Sequence, residues 1–174
     1  MKDNTYSLRK LLKENKSPYD ILEKYIPMKP NNFHWFIGRI LVSLITLSHP
    51  SKFIYEFNKK DYKKNQVIII ADHASRDNFY YIMKGLKGFK PNIVMGYQNF
   101  YKKGLFKFFL RIGTIPKYLY APDLKASKNI IRLLKENQSI LFFPEGIQSN
   151  IGTTQPMNPA SLKLLKHTLM IKQS

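Results

Sequence analysis

Val67-Ile68-Ile69-Ile70-Ala71-Asp72-His73-Ala74-Ser75-Arg76-Asp77 is an apolar run that stops abruptly in ionisable residues. The run of branched aliphatic residues predicts a buried strand, and its polar end predicts the hand-over from strand to helix. Residues four apart share a helix face, so Asp77 is spaced to hold the imidazole of His73 in one tautomer. A second break of the same kind follows Ile140-Leu141-Phe142-Phe143, where the chain turns to Pro144-Glu145-Gly146. Two strand ends that both stop in ionisable residues predict a reaction centre at one edge of a sheet. Spacing alone also allows a helix start capped by Asp72 or Ser75, with His73 merely exposed.

Around these breaks, strand and helix signals alternate. Strands are expected at 53–57, 67–71, 92–95 and 140–143, with a short strand or turn at Gly113-Thr114-Ile115-Pro116. Helices are expected at about 77–86, 100–110, 126–137 and 162–167. This alternation predicts an α/β fold with a mixed, largely parallel sheet flanked by helices.

The N-terminal 50 residues read differently. A lysine-rich stretch with a weak helical pattern ends at Pro27 and Pro30. Phe33, Phe36, Ile37, Ile40, Leu41, Leu44 and Ile45 then repeat at i, i+3, i+4, i+7 and form one apolar stripe on an amphipathic helix. At 33–47 the segment is interrupted by Arg39 and shorter than the roughly 20 residues that span a bilayer. It is expected either to pack on the domain's own core or to lie on a membrane surface with Trp35 as an interfacial anchor. Two regions follow: 1–50, an N-terminal helical and membrane-surface segment, and 51–174, the α/β domain.

Composition narrows the chemistry. The absence of cysteine among 174 residues excludes disulfides, thiolate metal sites and cysteine nucleophiles. Twenty-nine Lys and Arg against eleven Asp and Glu give a net charge of +18, which favours anionic partners such as lipid surfaces and phosphorylated small molecules. No recognised nucleic-acid motif accompanies that charge, so no nucleic-acid partner is expected. His34, His49 and His167 have no spacing that would join His73 and Asp77 around a metal, so no metal site is expected. There is no phosphate-binding loop of the Gly-x-x-x-x-Gly-Lys type and no dinucleotide fingerprint. A neutral imidazole oriented by a carboxylate can take a proton from an attacking alcohol, which contributes on the order of 10²–10⁴ in rate.

Ala71-Asp72-His73-Ala74-Ser75-Arg76-Asp77, then Gly113-Thr114-Ile115-Pro116-Lys117, then Phe143-Pro144-Glu145-Gly146, resembles the glycerophospholipid acyltransferase family. That family, which includes the lysophosphatidate acyltransferases, carries Asn-His-x-Ser-x-x-Asp, Gly-x-Ile-Pro and Phe-Pro-Glu-Gly blocks in this order. The resemblance covers roughly 52–166 and implies acyl transfer from acyl-CoA or acyl carrier protein, as co-substrate, to a hydroxyl of a glycerol phosphate or lysophospholipid. It implies His73 as the base and Asp77 as its partner, with Glu145 and Gly146 forming the acceptor site. Gly113 and Pro116 match the second block, and Lys117 stands near a basic position that faces the acceptor phosphate. Arg76 joins them on charge alone. The implied location is the cytoplasmic face of a membrane, with no further cofactor.

The chain also departs from the family pattern. Three residues separate His73 from Asp77 where four are usual, Asp72 replaces the common Asn, and Ile147-Gln148-Ser149 stands where Thr-Arg-Ser is common. The family's fourth block, a strand containing Val-Pro, is not found, so a C-terminally truncated member is expected. A catalytically inactive relative that only binds anionic lipid surfaces is the alternative.

Overall fold

A computed structural model of the chain describes residues 4–14, 17–48, 50–54, 56, 66–73, 78–86, 88–101, 104–118, 122–146, 149 and 152–173. Its elements in chain order are α1 (Asn4–Glu14), α2 (Pro18–Lys24), α3 (Asn32–Ile45), β1 (Ile68–Ile70), α4 (Asn78–Gly85), β2 (Asn92–Gly96), α5 (Phe106–Arg111), β3 (Ile115–Lys117), α6 (Leu124–Lys135), β4 (Ile140–Phe142) and α7 (Pro159–Gln173). The four strands form one parallel sheet in the order β1-β4-β2-β3, with Ile70 opposite Phe142 and Met95 opposite Pro116. Each parallel crossover carries a helix, as parallel pairing requires.

Period-two alternation divides the core between the two faces of the sheet. Ile93 of β2 and Leu141 of β4 join the cluster built from α1–α5, which includes Leu22, Trp35, Met83 and Leu110. Their neighbours Val94, Ile140 and Phe142 point the other way, into a cluster with Ile115, Ile130, Leu133 and Leu165. On α6 the buried residues Ala126, Ile130, Leu133 and Leu134 recur at helical spacing. Asp123 caps that helix by accepting from Ala126 N at 2.8 Å.

The N-terminal helices are held by polar contacts to main-chain oxygens as well as by burial. Tyr25 Oη donates to Leu110 O at 2.8 Å, Lys125 Nζ reaches the carbonyls of Leu22 and Glu23, and Arg132 reaches that of Pro27. Buried Asn92 donates through Nδ2 to Met28 O at 2.7 Å and Gly113 O at 2.6 Å. Gly113 has φ +75, and a Cβ there would strike Met28 O and Asn92 Nδ2, so this crossing excludes a larger residue.

Helix α3 does not pack its long apolar stripe on the core, and Trp35 does not play the part expected of it. Trp35 is buried at 1% exposure and donates from Nε1 to Ile112 O at 3.3 Å, so it is a core residue and not an interfacial anchor. Trp35, Val42 and Thr46 lie at i, i+7 and i+11 and face the core. The longer apolar stripe therefore points outward, with Phe33, Phe36, Leu44 and Ile45 all more than half exposed. Gly38 allows α3 to approach α5, since a Cβ there would lie 2.9 Å from the ring of Phe108.

Two other expectations are corrected. The described residues of 53–57 form no strand: the Phe53 ring packs against Gly85 of α4, and Ile54 is 79% exposed. The helix expected over 100–110 is interrupted. A 3₁₀ turn covers Tyr97–Tyr101, Gly104 adopts φ +82, and α5 begins only at Phe106.

Candidate active site

Four parallel strands bring all their carboxyl ends to one edge of the sheet, where open α/β sheets bind ligands. β1 runs out into Ala71, Asp72 and His73; β4, its neighbour, runs out into Phe143, Pro144 and Glu145. Ala71 N donates to Phe142 O at 3.1 Å, which continues the ladder one step past the strands. Beyond it, Ser149 N donates to His73 O at 3.0 Å, and the His73 and Phe143 rings meet at a centroid distance of 4.9 Å. The two breaks seen in the sequence are thus one structure.

The loop after β4 is shaped by its own backbone. Gly146 has φ +77 and donates its amide to Phe143 O at 3.2 Å, closing a turn around Pro144 and Glu145. Asn158 N donates to Pro144 O at 3.0 Å and anchors the chain entering α7.

Two polar atoms in this region are buried without a hydrogen-bond partner among the described residues: His73 Nδ1 and Glu145 Oε2. Glu145 is only 7% exposed. Buried polar atoms are nearly always paired, and leaving one unpaired costs about 1–3 kcal/mol, more for a charged group. Both residues lie at the carboxyl edge of the sheet, on the segments that follow the paired strands β1 and β4. Arg76 and Asp77 lie outside the described residues. His73 is not helical and the described helix is Asn78–Gly85, so the expected His73–Asp77 pairing lies outside the described residues.

The second block stands apart. Two strands, β4 and β2, separate β1 from β3, which puts Lys117 about 14 Å from the end of β1 at the usual strand spacing. Gly113 and Pro116 are buried, and the packing of Gly113 against Met28 and Asn92 explains its residue type structurally. Lys117 is half-buried; burial lowers its pKa and the nearby Asp123 carboxylate partly opposes that. Next to it, Tyr97 and Tyr118 stack face to face at 4.1 Å. His73, Glu145 and Gly146 are therefore brought together, while Gly113, Pro116 and Lys117 line a different part of the sheet.

Phe143 and Ser149 were not singled out by the sequence. Ser149 matches the Ser of the family's Thr-Arg-Ser, but its bond to His73 is made by the backbone amide, which no residue type signals. Phe143 did carry one: period-two alternation from Leu141 puts it on the same face of the sheet as the first cluster.

No family model matches the sequence, and no curated protein matches it. In three dimensions the chain is similar to the crystal structure of the 1-acyl-sn-glycerophosphate (LPA) acyltransferase PlsC from Thermotoga maritima, with a TM-score of 0.58 and 17% identity. The match covers 97% of this chain and 58% of that one, so the chain spans under two thirds of the length of its structural neighbour. At that identity the likeness establishes a shared fold.

Proposed function

We propose that this chain is an O-acyltransferase of glycerolipid type, moving a fatty acyl group from acyl-CoA or acyl carrier protein to a hydroxyl of a glycerol phosphate or lysophospholipid. The observation that carries this reading is the junction of the first and third motif blocks, His73 with Glu145, at the carboxyl edge of adjacent strands. The fold shared with an acyltransferase supports it.

In this mechanism the buried Nδ1 leaves Nε2 of His73 to meet the acceptor. As the acceptor oxygen bonds to the thioester carbonyl carbon, Nε2 takes the hydroxyl proton. Collapse of the tetrahedral intermediate breaks the carbon–sulfur bond, and the imidazolium returns its proton to the departing thiolate. Asp77 orients the imidazole through Nδ1, and Glu145 accepts a hydrogen bond from an acceptor hydroxyl beside the Gly146 turn. Arg76 attracts the acceptor phosphate, and Lys117, separated from β1 by two strands on the same carboxyl edge, adds a longer-range attraction to it. The outward apolar stripe of α3, on a chain of net charge +18, rests on the anionic cytoplasmic face of a membrane. No helix among the described residues is long and apolar enough to cross a membrane.

The test is acyl transfer from acyl-CoA and from acyl carrier protein to lysophosphatidate and glycerol 3-phosphate, with His73→Ala as the control. A loss of about 10²–10⁴-fold in turnover is expected from the substitution; equal turnover by both proteins overturns the role of His73. A second reading, lipid-surface binding without catalysis, is favoured by one feature: the α3 stripe is exposed and independent of the His73 junction. Binding to anionic vesicles with no transfer to any acceptor would select it.

A further inference from the structure

We propose that Phe143 is a positioning residue of the base, restricting the imidazole plane of His73 from one face while Asp77 takes Nδ1; this rests on the reading of His73 as the base. The two ring centroids are 4.9 Å apart and the planes are inclined by 38°. Nδ1 of His73 is buried with no partner among the described residues, so within them the contact to the imidazole is the ring of Phe143. The main chain of His73 is pinned separately, by the Ser149 amide on its carbonyl oxygen. One contact thus fixes where the residue is, and the other restricts how its ring is turned.

The position of Phe143 is itself set by the sheet. Phe142 is buried in one cluster, Leu141 in the other, and Phe143 packs against the cluster that holds Leu141. Strand pairing of Ile70 with Phe142 then carries Phe143 up to the residues that follow β1. An aromatic ring there does two things an aliphatic side chain cannot. Its flat face restricts rotation of the imidazole, and its π-electrons attract the imidazolium formed when the base takes a proton, an effect that operates within about 6 Å.

The experiment compares Phe143→Leu, Phe143→Tyr and Phe143→Leu/His73→Ala with wild type, using the full chain and the acyl-transfer assay. Phe143→Leu should lower kcat about 10–100-fold with KM within about twofold, as expected when a catalytic group is misaligned rather than removed. Phe143→Tyr should recover to within about threefold of wild type. On the His73→Ala background, Phe143→Leu should cost no further rate. A Tyr variant as slow as the Leu variant, or an undiminished effect on that background, overturns the proposal. NMR of the His73 ring protons separates this from failure of the base assignment. An upfield ring-current shift is expected in wild type and should vanish in Phe143→Leu. If transfer proves independent of His73 the base assignment falls, and absence of the shift removes the contact itself.

Discussion

The amide of Ser149 donates to the main-chain oxygen of His73 at 3.0 Å, joining the loop after β4 to the segment after β1. A polar edge that sequence shows as two separate breaks is held as one by backbone. The buried Ser149 hydroxyl accepts from Thr153 N at 3.2 Å and Gln155 Nε2 at 3.3 Å and ties in the chain that follows. The turn after β4 depends in its own way on Gly146.

Gly146 adopts φ +77, and among the described residues, its chain neighbours aside, no heavy atom lies within 4 Å of where a Cβ would stand. Gly146→Ala therefore meets no clash with the described residues, and its expected penalty is that of the left-handed backbone, about 1–2 kcal/mol. The urea midpoint should fall accordingly. Acyl transfer should fall further than stability does, because the same turn presents Glu145. An unchanged midpoint would mean that the turn relaxes without cost.

The two sides of α3 predict opposite phenotypes. Trp35→Ala empties a fully buried site and should destabilise by about 3–5 kcal/mol, with the loss of its bond to Ile112 O included. Leu44→Ser acts where the side chain is 62% exposed, so thermal stability should move by no more than about 0.5 kcal/mol. Binding to anionic vesicles should nevertheless weaken in Leu44→Ser. Unchanged vesicle binding would remove α3 from the membrane-facing surface.

That contrast also marks how far the sequence could be read. The parallel sheet and its edge were legible because 67–71 and 140–143 are strong apolar runs ending in ionisable residues. The orientation of α3 was not, because the helix carries two apolar strips: a long continuous one and a sparse one made of Trp35 and Val42. Periodicity favours the longer strip, whereas the core selected the larger ring. The expected strand at 53–57 failed for a related reason: alternating apolar residues suit a strand, but Phe53 found its burial on Gly85. Within the site, His73, Glu145 and Gly146 were legible as residue types. Their coupling through Ser149 N and Phe143 was not, since a backbone amide and a ring contact leave no residue pattern.

Asn92 is a buried amide whose Nδ2 serves two carbonyls, Met28 O and Gly113 O. Asn92→Ala leaves both without that donor and should cost about 1–3 kcal/mol. Because Met28 belongs to the segment between α2 and α3, hydrogen exchange should accelerate there before it does in β4. Uniform acceleration across the chain would show that the contact holds no particular segment.

Lys117 gives the pH dependence its sign. Burial lowers its pKa in the folded protein, and Asp123 opposes that only in part. Between the folded and unfolded pKa values the unfolded chain binds the additional proton, so stability rises with pH across that window. At neutral pH the folded chain bears the cost of a half-buried ammonium, and that cost is relieved as pH climbs through the depressed pKa. Lys117→Met should therefore melt higher than wild type at neutral pH, and the gap should close towards the alkaline limit. Melting curves from about pH 7 to about pH 10 test this, and a gap that stays constant would refute the assignment. The same variant should bind a phosphate-bearing acceptor more weakly than wild type while leaving the acyl donor's KM unmoved. Stability and acceptor affinity would then change in opposite directions, as expected of a charge kept for binding at the expense of folding.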